Sequence, residues 1–341
     1  MCNFRLFGGK RVSPKHVKEP IGTILLFWRG KSMKNCRFDT PSLMLYNKHQ
    51  KVLMIAHSKL KGITLIPTKS VNTIEELGPG IFCDFYIQGI ELQGQEIVGG
   101  YQYNDLVNID HHAPNERMAQ IISSAPLAIA YRAKNGITEG RHVVINHTDA
   151  DSILSSGIIA GVLQPDERFA EAAIAADHTG RENEIADLLQ PLAGFKDPAL
   201  SFRNLECLLQ GKPLETAAEK ACARRRENRK VCVRVAGGFT QRGRVCFLEG
   251  QHFEEVELFL PLFPEAEIFL IHYPSQIQGR NEVRIRLGPA APKGLWLNKL
   301  GLPNFGGRWN AGSSRRSEKT TLTAEKYADI INQKVEAFLG K

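Results

Sequence analysis

Leu106-Val107-Asn108-Ile109-Asp110-His111-His112 reads as a strand that runs straight into chemistry. Three of its first four residues are apolar and two are β-branched, the pattern of a short buried strand. The run stops on a carboxylate and two imidazoles, and Pro114 biases the chain away from an immediate helix. Parallel α/β sheets place their ligands at the carboxyl ends of strands, so the stretch predicts an α/β fold with reactive groups at one sheet edge.

Similar junctions flank it. Ile81-Phe82-Cys83 leads into Asp84, and Val143-Val144-Ile145-Asn146 runs into His147-Thr148-Asp149-Ala150-Asp151-Ser152. Ala173-Ile174-Ala175-Ala176 reads as a further strand ending in Asp177-His178. Carboxylates with a minority of imidazoles suit Mn²⁺, Mg²⁺ or Fe better than a thiolate-held structural zinc. These junctions carry enough ligands for two ions, the usual device for hydrolysing phosphate esters. A strand-end Asp84 making local hydrogen bonds, and acids serving only to cap a helix with Ser152 or Asp151 at its start, are the competing structural readings.

The residues resemble the DHH phosphoesterases, named for the Asp-His-His triplet, over roughly residues 80–340. That family includes RecJ-type exonucleases, nano-RNases, cyclic-dinucleotide phosphodiesterases and inorganic pyrophosphatases. The resemblance implies a two-ion Mn²⁺ centre, with Mg²⁺ as the other candidate. His147 and Asp149 would hold one ion, Asp151, His111 and Asp177 the other, and Asp84 would bridge them. Asp110 would orient His111, and His112 would contact the scissile phosphate or protonate the leaving oxygen, while a hydroxide between the ions attacks phosphorus. His178 has no counterpart in that scheme. Two departures stand out. The family order places His-x-Asp-x-Asp first, whereas here it follows the lone Asp and the Asp-His-His, as though the motifs were permuted. His57-Ser58-Lys59-Leu60-Lys61-Gly62 resembles the first motif with both acids replaced by lysine, which cannot ligate a cation while charged.

Downstream, residues 182–226 read as mainly helical, and residues 220–230 as a basic helix or linker, a solvated face or one wall of a polyanion-holding cleft. Strand signals follow at 231–235, 245–247, 267–271 and 282–287, the last with Val283, Ile285 and Leu287 alternating with arginines. Gly306-Gly307-Arg308-Trp309-Asn310 is similar to the glycine-rich loop of the DHH-associated substrate domain, with arginine at the usual histidine position. The glycines would admit a phosphate to backbone N–H groups, Arg308 would grip it bidentately, and Asn310 would complete the binding loop. Residues 324–339 read as an amphipathic closing helix.

The expected architecture is therefore α/β. Residues 1–62 form a basic extension of uncertain order, 63–219 a mainly parallel-sheet catalytic domain, 220–230 a basic linker, and 231–341 a smaller mixed α/β substrate-binding domain. The chain's 341 residues, 43% hydrophobic and 23% charged, suffice for two cores. Its net charge of +8 is concentrated at the start: residues 1–62 sum to +11 and the remainder to −3. The body is thus no general polyanion binder, although the arm is a candidate phosphate clamp. Seven cysteines without a C-x-x-C pair argue for free thiols in a reducing compartment. The apolar run at 24–28 is too short to span a bilayer and no secretory pattern is visible, so a cytoplasmic location with no membrane partner is expected.

The functional expectation is a metal-dependent, exonuclease-like phosphoesterase that binds nucleotides and cleaves phosphodiester bonds of short oligonucleotides or (cyclic) dinucleotides. Short single-stranded nucleic acid is a candidate partner. The alternative is a degraded DHH-like protein acting as a nucleic-acid-binding or regulatory module.

Overall fold

The computed structural model describes residues 62–68, 72–112, 121–137, 141–315 and 318–340, all within one compact unit spanning Asn47–Lys341. The basic extension up to residue 61 and the His57 segment lie outside the described residues.

The first lobe is built on β1 (Ile63–Leu65), β2 (Gly80–Cys83), β3 (Gln95–Ile97), β4 (Gly100–Tyr103), β5 (Leu106–Ile109) and β6 (Val143–Ile145). Their order is β1-β6-β2-β5-β4-β3, with β1, β6, β2 and β5 parallel and the β3–β4 hairpin antiparallel at one edge. Side chains alternate across this sheet, and both faces are covered, as parallel sheets require. Ile81, Cys83, Val107, Ile109, Val143 and Ile145 point into the larger core. Phe82, Leu106 and Val144 join Phe85, Ile87 and Ile90 on the opposite face.

After the short α1 (Ile90–Gln93), the larger core is closed by α2 (Ser124–Asn135), α3 (Ala150–Ile159), α4 (Glu167–Ile174), α5 (Glu184–Leu192), α6 (Pro198–Leu209) and the start of α7 (Thr216–Val235). In sequence, residues 116–133 read as helical pieces interrupted at Pro126, but Pro126 lies in the first turn of α2, where its missing N–H would have had no intrahelical partner. The cap of α3 also differs from expectation: Asp149, not Asp151 or Ser152, accepts from the Ser152 amide.

Two strand readings are overturned. Residues 173–176 form the end of α4 and the start of a π-helical segment, Ala175–Thr179, because alanines have the strongest helix preference and Asp166 caps the start. Residues 231–235 complete α7, a 20-residue helix rich in Ala, Lys, Arg and Glu. Adding a residue to such a helix is easier than nucleating a new element, and Cys232 is buried in the second lobe's core.

The second lobe contains β7 (Thr240–Arg242), β8 (Val245–Glu249), β9 (Ile268–Pro274), β10 (Asn281–Leu287), β11 (Gly306–Gly307), β12 (Ala311–Ser313) and the closing helix α8 (Ala324–Leu339). The order is β11-β12-β10-β9-β8-β7, antiparallel except for β8 beside β9. Ile268 and Leu270 face α8 through Tyr327, Ile331 and Val335. Phe269 and Ile271 face the 3₁₀ segment Val256–Leu262. The protein is thus α/β, with two mixed six-stranded sheets in two lobes. Among the described residues, no helix is long and apolar enough to cross a membrane.

Candidate metal centre

Because β2, β5 and β6 are parallel, their carboxyl ends open on one edge of the sheet, and Asp84, Asp110 to His112, and His147 converge there. Asp84 is held in the left-handed region, at φ 62°. Its turn is fastened from the neighbouring strand, where the Asn108 amide donates to the carbonyls of Phe82 (3.2 Å) and Phe85 (3.1 Å). A strained backbone fixed by a buried amide is characteristic of a residue whose direction matters.

Three groups of donor atoms result, each with its atoms within 4.8 Å of one another: Asp84, His147 and Asp149; Asp84, His111 and His112; His111, Asp177 and His178. His147 Nε2 lies 3.2 Å from both Asp84 Oδ2 and Asp149 Oδ2. His111 Nδ1 is 3.7 Å from Asp84 Oδ1, and its Nε2 is 3.6 Å from Asp177 Oδ2. Asp84 and His111 each belong to two groups.

Asp151 lies in none of them. Its carboxylate accepts from the amides of Ser124 (2.6 Å) and Ala125 (2.7 Å), satisfying the first turn of α2, and its Oδ2 lies 3.1 Å from His111 Nδ1. The expected pairing of Asp110 with His111 is not formed. Asp110 Oδ1 accepts from His112 Nδ1 at 2.7 Å instead, while the two imidazoles stack with centroids 4.0 Å apart. On its other nitrogen, His112 meets the Arg308 guanidinium of the second lobe.

The glycine loop has a structural role of its own. A Cβ on Gly307 would fall 2.3 Å from the Gly312 Cα, so the tight β11–β12 hairpin itself demands glycine. Gly306 pairs with Ser313 in that hairpin, and the Arg308 amide donates to Ala311 (2.8 Å). From this loop the Arg308 side chain reaches the first lobe at His112. Asn310 is buried and donates to His178 Nδ1 (3.3 Å). His178 Nε2 in turn donates to the Ile122 carbonyl (2.9 Å), so both imidazole nitrogens are engaged. The basic face of β10 is likewise committed: Arg284 donates to the carbonyls of Phe253 and Glu254, and Arg286 donates to the Asp177 carbonyl.

The electrostatics are those of crowded, buried carboxylates. Burial and the neighbouring Asp151 and Asp149 push Asp84 up to about 7. Burial and Asp177 push Asp151 up to about 8. Burial alone would lower His147, but Asp149 and Asp84 on either side hold it up to about 12, whereas His178 is lowered to about 4 by burial. Burial would raise Asp177, yet the charges of Arg308, His111 and His178 together outweigh it and keep this carboxyl below its ordinary range. A proton on His147 serves as the counter-charge between two carboxylates. A divalent cation fits the same donor set and would release that proton on binding.

Sequence reasoning left out His178, Ser124 and Ser152. His178 was visible beside Asp177, but the serines carry no motif. The Ser124 and Ser152 hydroxyls donate to the two oxygens of Asp84 at 3.0 and 2.7 Å.

No family model and no curated protein matches the chain. Among solved structures, it is similar to the pGpG-specific phosphodiesterase PggH from Vibrio cholerae over 60% of this chain and 77% of that one, at 9% identity and a TM-score of 0.37. An exopolyphosphatase-related protein from Bacteroides fragilis aligns over 68% of this chain and 63% of its own, at 14% identity and 0.31. An uncharacterized protein from Helicobacter pylori G27 aligns over 80% and 100%, at 10% identity and 0.20.

Proposed function

We propose that the chain is a phosphoesterase using two divalent ions, Mn²⁺ by preference, to hydrolyse phosphodiester bonds of short oligonucleotides or (cyclic) dinucleotides. The observation that carries this reading is Asp84, whose two oxygens face separate donor groups on the edge opposite Arg308. His147, Asp149 and Asp84 would hold one ion; Asp84 and Asp177, which face opposite nitrogens of His111 at 3.7 and 3.6 Å, would have to close on the other together with that imidazole. Such a pair, about 3.5–4 Å apart, neutralises phosphate charge and acidifies water.

The chain's own residues supply the rest. Arg308 has the planar, forked donors that grip a phosphate through two oxygens. Asp110 fixes the His112 ring through Nδ1, leaving Nε2 directed at Arg308. Nε2 accepts from the Arg308 guanidinium here, and with Arg308 turned onto a phosphate a protonated Nε2 would come within reach of the leaving oxygen. Asp151, with its oxygens on the α2 amides and beside His111, orients that imidazole.

The test is hydrolysis of bis(p-nitrophenyl) phosphate and of a labelled dinucleotide with Mn²⁺, beside a chelated control and Asp149→Ala. Turnover that needs the ion and falls by more than about 100-fold in the variant supports the reading, since supporting residues alone command roughly 10–100-fold. A folded protein that neither turns over these substrates nor binds Mn²⁺ refutes it. Steeply salt-dependent nucleic-acid binding would then favour the binding-module alternative.

A further inference from the structure

Two buried serines tie Asp84 to the two halves of the site. Ser152, in the first turn of α3, donates its hydroxyl to Asp84 Oδ2 (2.7 Å) and its amide to Asp149 Oδ1 (3.1 Å). Ser124, in the first turn of α2, donates its hydroxyl to Asp84 Oδ1 (3.0 Å) and its amide to Asp151 Oδ2 (2.6 Å). The Ser124 hydroxyl also accepts from the His111 amide (3.3 Å). Each serine therefore links Asp84 to a different aspartate of the His147-x-Asp149-x-Asp151 motif, from a different helix.

The neighbouring Ser123 shows that burial alone does not produce this. It is equally buried and occupies the N-cap of α2, yet its hydroxyl neither caps the helix nor finds a hydrogen-bond partner among the described residues. Asp151 supplies the cap from across the site instead.

A carboxylate has about four acceptor positions, so one hydroxyl on each oxygen leaves room for a cation on each. Without the hydroxyls, the Asp84 carboxylate would be free to turn about its last side-chain bond, and the separation of its oxygens between His147 and His111 would be lost. Resting on the metal-centre reading above, we propose that Ser152 and Ser124 are positioning residues, each orienting one oxygen of Asp84 for one ion: Ser152 for the ion at His147 and Asp149, Ser124 for the ion at His111.

Calorimetric titration of the full-length, metal-free chain with Mn²⁺ tests this, comparing Ser124→Ala, Ser152→Ala, Ser123→Ala and His147→Ala, each checked for folding by circular dichroism. His147→Ala identifies the binding step that belongs to its group. Ser152→Ala is expected to weaken that step by roughly 10–100-fold, and Ser124→Ala the other step by a similar factor, the range expected for residues supporting a metal ligand. Ser123→Ala should leave both steps unchanged. Affinities within about twofold of the unaltered chain in both Asp84-binding serine variants overturn the proposal, as does weakening of the same step by both. Should one variant fail to fold, the step affected by the other decides. An unaltered chain that binds no Mn²⁺ refutes the metal-centre reading itself, a result distinct from normal binding in the serine variants.

Discussion

Asp84 pays for its position twice, in a left-handed backbone and in a buried charge. A non-glycine residue held in such a region costs about 1–3 kcal/mol. With Asp84 pushed up to about 7, its protonated form suits the metal-free fold and its ionised form opposes it. A raised carboxyl pKa contributes stability that is complete below the unfolded value and is lost as pH rises through the folded one. His178, lowered to about 4, acts in the opposite sense below its ordinary range, so above about pH 6.5 the fall is the joint effect of Asp84, Asp151 and His147, whose proton is held up to about 12. The metal-free melting temperature should therefore decline between about pH 6.5 and 8.5, with a shallower decline in Asp84→Asn. Mn²⁺ should abolish the decline in the unaltered chain only. A flat profile in the unaltered metal-free chain would contradict this account. Asn also tolerates a left-handed backbone, so Asp84→Asn tests charge with little change in strain.

At the scale of elements, the π-helical segment Ala175–Thr179 is the piece that sequence reasoning placed least well. Its alanines and Ile174 look like a buried strand when read alone, and only the preceding cap and the helix already under way decide otherwise. By contrast, β2, β5, β6 and α8 were legible, because apolar runs ending in turn signals and helical spacing are local properties. Residues 231–235 were misread for the reason that misled at 173–176: short β-branched or apolar runs fit two elements, and tertiary burial chooses. The convergence of Asp84, His111, His147 and Asp149 was readable as strand-end chemistry. The pairing of Asp110 with His112, the cap that Asp151 gives α2 and the serine hydroxyls were not, since they depend on where separate helices meet. The segment ends on Gly180, at φ 62°, where an added Cβ would lie 1.8 Å from the Glu257 carbonyl oxygen. Gly180→Ala should destabilise the protein by at least about 2 kcal/mol in urea denaturation, from left-handed strain and the forced backbone shift together. A change below about 0.5 kcal/mol would show that this seam yields freely.

Over the whole molecule, the two lobes are joined by charge as well as by packing. The basic stretch 220–230, read as a solvated face or as a cleft wall for polyanions, is in part consumed internally. Arg225 is buried, donates to Asp187 at 2.8 Å and pairs with Glu255, and Arg229 bonds Asp187 at 2.6 Å and the Gly180 carbonyl at 2.7 Å. Removing one partner of a buried network strands the others, so Arg225→Ala should cost about 3–5 kcal/mol by urea denaturation. A loss under about 1 kcal/mol would mean that the acids are solvated without it. Arg308 reaches across the same seam to His112, and its side chain is the substrate grip in the proposed reaction. Arg308→Lys keeps the charge but loses the fork, and should lower kcat/KM for a dinucleotide by about tenfold or more, the equivalent of one charge-assisted hydrogen bond. Unchanged kcat/KM would remove Arg308 from substrate binding.

The central claim is that Asp84 is shared by two adjacent ions, and electron paramagnetic resonance of the chain titrated with Mn²⁺ reads this directly. The account predicts two Mn²⁺ per chain with the spectrum of an exchange-coupled pair, and loss of that coupling in Asp84→Asn. A single isolated Mn²⁺ signal at saturation, or no bound ion, would contradict it.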